Sequence, residues 1–98
     1  MTSSVLNLPP AAQAKFALLQ QSFVAGLVAR QQEIRGTQDA ARVMAAAHRL
    51  AGAAGSYGFD ALCGCARDVE NRCAAGAHPD LASALDRLHQ EIDRLTAQ

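Results

Sequence analysis

"AAAHRLAGAAGSYGF", residues 45–59, sets a single histidine among alanines and glycines and then runs into a turn. Gly52 and Gly55 fall inside a run that otherwise reads as helix, each at a cost of about 1 kcal/mol relative to alanine. Ser56, Tyr57, Gly58 and Phe59 interrupt the helical pattern around Gly58, and a new periodic segment follows at once. One helix, a tight turn and a second helix are therefore written into this stretch.

The same punctuation recurs on both sides. Upstream, Pro9 and Pro10 suit a helix start, where a missing N–H is no loss. Gly36 ends the first segment and Thr37 is placed to cap the next. Downstream, "AGAHPD" at 75–80 stops a helix at Gly76 and opens another at Pro79. Between these marks the apolar residues keep helical spacing: Phe16, Leu19, Phe23, Leu27 and Ile34; Leu62, Ala66, Val69 and Cys73; Leu81, Leu85, Leu88, Ile92 and Leu95. No stretch alternates as a half-buried strand does. Short loops make sequential neighbours antiparallel, so the expected fold is all-α, an up-down antiparallel four-helix bundle. Gly26 lies within the long first segment and predicts a break or bend there. Residues 1–98 read as one domain, with 1–8 a flexible N-terminal segment.

Composition narrows the function. The chain has 98 residues, enough for one core and not two. Nine basic and nine acidic residues cancel, which argues against nucleic acid or an anionic membrane surface as partner, since both reward a basic excess. No apolar stretch is long enough to span a bilayer. The start, "MTSSVLNLPP", lacks the basic and apolar regions of a signal peptide. Three cysteines are too few and too odd for a disulfide framework. A cytoplasmic monomer is the expectation.

On a helical wheel, Val43, Ala47, Leu50 and Ala54 form the core stripe of the helix around residues 38–56, and His48 lies roughly 120° from its centre. Within about 60° of His48 lie Ala41, Met44, Ala45, Ala51, Gly52 and Gly55. None is charged, and all but Met44 have at most a methyl side chain. Small side chains let another protein's backbone come close to the ring, so this face reads as a docking surface. Arg42 and Arg49, on one flank, are placed to meet an anionic rim.

The wider stretch "AAHRLAGAAGSYGFDALCGCARDVE", Ala46 to Glu70, resembles the signature of histidine-containing phosphotransfer (HPt) domains. His48, Leu50, Gly52, Gly55, Ser56, Gly58, Leu62 and Glu70 match that pattern without a gap, over about a quarter of the chain. One position departs: the lysine usual three residues after the histidine is Ala51 here, which leaves Arg49 or Arg42 to offset phosphoryl charge in part.

The resemblance implies a phosphorelay carrier in two-component signalling. His48 would accept a phosphoryl group from a receiver aspartyl phosphate and pass it to another receiver aspartate. The partners it implies are receiver domains of response regulators, a hybrid histidine kinase, or both. It implies no cofactor in this chain, with Mg²⁺ expected on the partner receiver domain. Imidazole suits the task because a pKa of about 6.5 leaves a neutral nucleophilic nitrogen at cell pH. Glu70, at the edge of its own core stripe, is the candidate to accept a hydrogen bond from Nδ1–H and leave Nε2 free to attack.

Other features point nowhere strongly. Cys63 and Cys65, two apart on a helix, project about 200° from one another and do not chelate one ion; with Cys73 they read as small buried residues. His78 reads as a cap or surface group and His89 as solvated. No nucleotide-binding loop is present, so the chain is not an enzyme with its own ATP site. The alternative reading is an adaptor bundle that holds a partner on the bare face without phosphate chemistry.

Overall fold

A computed structural model describes residues 8–76 and 78–97. Residues 1–7, which carry most of the expected flexible segment, and the His78 side chain lie outside the described residues. Five helical segments follow one another: α1 (Pro10–Ala25), α2 (Leu27–Arg35), α3 (Ala40–Ser56), α4 (Asp60–Ala75) and α5 (His78–Thr96). No strand occurs among the described residues. Segments α1 and α2 are one arm bent at Gly26, whose N–H is shared between the carbonyls of Ser22 and Phe23 at 3.2 and 3.1 Å. The result is a four-helix bundle with a bent first helix, as the spacing predicts.

Turn chemistry aligns the helices. At the end of α3, Gly58 adopts φ +81°, a conformation that costs glycine nothing. Its N–H bonds the Gly55 carbonyl at 3.2 Å, and the Phe59 N–H reaches back to Ala54 at 2.9 Å. That pair of bonds closes a Schellman motif, which reverses the chain within three residues. Gly76 does similar work after α4 at φ +68°.

The start of α3 differs from the sequence expectation. Asp39, not Thr37, is the cap: its carboxylate accepts from the Ala41 N–H at 3.0 Å. Thr37 Oγ1 instead accepts from the Asp39 N–H at 3.1 Å, bracing the turn before it. A carboxylate meets the positive end of the helix dipole and makes the stronger, charge-assisted bond.

One hydrophobic core runs through the bundle. Phe23, Leu27 and Ile34 of the arm meet Val43, Leu50 and Ala54 of α3, Leu62, Ala66 and Val69 of α4, and Ala84, Leu88 and Ile92 of α5. Leu81, Leu85 and Leu95 lie half-buried against it. An aromatic cluster pins the middle of the arm to the α3–α4 turn, Phe23 stacking on Phe59 with ring centres 5.4 Å apart and meeting Tyr57 at 5.3 Å. Leu19 was expected in this core and is 44% exposed. The arm touches the bundle along the line of Phe16, Gln20, Phe23 and Leu27, and Leu19 points about 75° away from it.

Candidate histidine site

His48 stands near the middle of α3, its side chain 71% exposed and its Nδ1 2.7 Å from Glu70 Oε2. The hairpin brings the two together. Gly58 fixes the register of α3 against α4, so Gly55 faces Cys63, and seven residues further from the turn on each helix His48 faces Glu70. Glu70 is the more sheltered partner, with a side chain 26% exposed. An ionised carboxylate only accepts hydrogen bonds, so the shared proton sits on Nδ1. In the neutral ring that tautomer leaves the lone pair on Nε2, which has no protein partner among the described residues.

The bare face proves to be two surfaces. Ala41, Ala45 and Gly52 are open to solvent, and Met44 is half-buried. A methyl group placed on Gly52 would meet nothing within 4 Å. Ala51, however, is 1% exposed and cannot touch a partner. The core stripe of α3 is wider than four residues because helices lie on both sides of it; Ala46 and Ala51 are its two edges. Gly55 is exposed, yet a methyl there would sit 3.4 Å from Cys63 Sγ. Ala51 and Gly55 are small so that α4 can come close, which is what carries Glu70 to the ring.

The flanking arginines are partly engaged. Arg49 Nη2 lies 2.7 Å from Glu33 Oε2, joining α3 to α2. Arg42 Nε is 3.9 Å from Asp39 Oδ2. Both line an open groove of about 490 Å³, with Glu33, Thr37 and Ala45, beside the exposed part of the face. Arg67, which the sequence reading passed over, is exposed on α4 one turn before Glu70. The signal for it lies in the register between two helices, which a single-helix wheel does not contain.

The three cysteines are free and half-buried rather than fully buried. Burial pushes the Cys65 thiol up, with Glu91 and Asp68 adding to the effect, and burial alone does so for Cys73. Both are thereby held protonated and poorly nucleophilic. Among the described residues no group of three or more His, Cys, Asp or Glu is placed to hold a metal.

His89 is not the solvated group its position suggested. Gln31, 5% exposed, directs Nε2 to His89 Nδ1 and to Asp93 Oδ1, each at 3.3 Å. Burial and the Arg35 charge hold the His89 pKa below its ordinary value. On the far side of α4, Asp68 accepts from Arg87 and Arg72 and is held below the usual carboxylate range by them.

No helix among the described residues is long and apolar enough to cross a membrane. No curated protein and no solved structure matches the chain. A family model does, that of the Hpt domain, over residues 11–98. That span takes in nearly all of the bent arm and every helix after it, with His48 and Glu70 inside it. The chain belongs to the Hpt domain family, whose work is histidine phosphotransfer in two-component signalling.

Proposed function

We propose that this protein is a phosphorelay phosphocarrier in which Nε2 of His48 takes a phosphoryl group from a receiver aspartyl phosphate and yields it to the aspartate of another receiver. The single observation that carries this reading is the 2.7 Å bond from His48 Nδ1–H to Glu70 Oε2 beneath an exposed ring. It supplies a nucleophile of fixed tautomer at a surface another protein can reach.

The step balances simply. The Nε2 lone pair attacks phosphorus in line, the N–P bond forms as the bond to the aspartyl oxygen breaks, and the aspartate departs as a carboxylate. No proton moves. The ring, now substituted on Nε2 and protonated on Nδ1, carries a positive charge that the Glu70 carboxylate offsets, much as a buried aspartate supports the imidazolium of a serine protease. Return of the phosphoryl group reverses each change. The bundle contributes a positioned ring; the receiver contributes its acidic pocket and Mg²⁺. Ala41, Ala45 and Gly52, with half-buried Met44, form the floor on which the receiver's active-site loops settle, and Arg42 and Arg49 its rim. The protein acts as a monomer in the cytoplasm, between receivers of response regulators or of a hybrid kinase.

The test is transfer from a phosphorylated receiver. The protein should acquire an acid-labile, base-stable label, His48→Gln should acquire none while melting normally, and ATP alone should label neither. Stable binding to the receiver with no transfer would favour the adaptor reading, and label on His48→Gln would place the chemistry on another histidine.

A further inference from the structure

A phosphoryl group on His48 brings nearly two negative charges to a surface where α3 offers no free cation. Position 51, one turn along, is an alanine and buried. Arg49 points about 100° round the helix from His48 and is already bound to Glu33 at 2.7 Å. Arg42 lies farther off, beside Asp39.

The neighbouring helix supplies what α3 does not. Arg67 stands three residues before Glu70, about 4.5 Å along the axis of α4. The hairpin register that sets His48 against Glu70 and Gly55 against Cys63 sets Arg67 against Ala51. On α4, Leu62, Ala66 and Val69 are buried, and Arg67 lies about 60° beyond Glu70 on the side away from them. It therefore opens to the same side as the His48 ring. Ala51 and Gly52 put no bulk between the two, and a side chain at Gly52 would meet nothing within 4 Å. Arg67 forms no ion pair or hydrogen bond among the described residues, so it leaves no anion behind when it moves.

We propose that Arg67 is the phosphoryl-binding cation of this site: its guanidinium closes from α4 onto the oxygens of the group held by Nε2, replacing across the hairpin the charge missing at Ala51. A planar, permanently charged fork suits two phosphoryl oxygens at once. This rests on His48 being the phosphoacceptor.

The experiment uses phosphoramidate, a small donor that needs no docking, beside a phosphorylated receiver. Wild type, Arg67→Ala, Arg67→Lys and His48→Gln are compared, with the ³¹P resonance of the phosphorylated proteins titrated against pH. Arg67→Ala should melt as wild type and label about tenfold more slowly from both donors, as expected for losing one charge-assisted contact. Its phosphoryl pKa should rise by about half a unit, the size of a single charge a few ångströms away in water. Arg67→Lys, which keeps the charge and loses the fork, should restore the ³¹P midpoint and only part of the rate. Equal rates and an unmoved ³¹P midpoint in Arg67→Ala would overturn the proposal. Slowing with the receiver alone would also overturn it, by making Arg67 a docking residue. Failure of wild type to label, or labelling of His48→Gln, would instead overturn the phosphoacceptor reading on which it stands.

Discussion

At the scale of single residues the chemistry rests on a division of labour around one ring. The His48 side chain is 71% exposed and the Glu70 side chain that bonds it 26%, and in the proposed reaction the first attacks while the second holds the ring. A hydrogen bond to a charged group contributes about 1.5–3 kcal/mol, enough to keep one tautomer dominant. Removing it should slow the reaction without stopping it, because the nucleophile remains. Glu70→Ala is expected to lower the transfer rate about tenfold, the kinetic equivalent of roughly 1.4 kcal/mol, and to give a mixture of His48 tautomers by ¹⁵N NMR. An unchanged rate with an unchanged tautomer would remove Glu70 from the site. His48 itself was legible in the sequence, since an imidazole in a bed of alanine is conspicuous. Glu70 was legible as an edge residue of matching spacing. The place proposed for Arg67 was not, because nothing on its own helix distinguishes it from any solvated arginine.

At the scale of helices, small residues serve two ends that the sequence does not separate. Ala51 and Gly55 allow α4 to approach, while Gly52 keeps the outer face open. A wheel drawn for one helix puts all three in the same sector; only the neighbouring helix tells them apart. Gly52 tests the division. With open space where its side chain would be, Gly52→Ala and Gly52→Gln should stabilise the bundle by somewhat under about 1 kcal/mol, raising Tm by a few degrees. Transfer should fall in both, more for Gln, which sets a flexible polar group where a receiver loop must come close. A Gly52→Gln protein that transferred at the original rate would show that the open face has no part in docking. Helix ends were legible where glycine decides them, at Gly58 and Gly76. The start of α3 was not, because Thr37 and Asp39 are both competent caps and the winner is the one whose charge meets the helix dipole.

The whole molecule is a frame measuring 45 × 23 × 19 Å built to hold one hairpin in register. The arm and α5 cover the apolar faces of α3 and α4 and leave the His48 side bare. Fold class and helix order followed from periodicity and punctuation, which are local. The exposure of Leu19, the burial of Ala51 and the tie between Gln31 and His89 did not, since each depends on which helix lies alongside. All of it converges on the state of a single nitrogen. The most direct measurement is therefore ¹⁵N and ³¹P NMR of the protein labelled at histidine and phosphorylated by a receiver. Phosphorus should be bonded to Nε2 of His48, with Nδ1 still protonated; phosphorus on Nδ1 of His48, or on His78 or His89, would contradict the account.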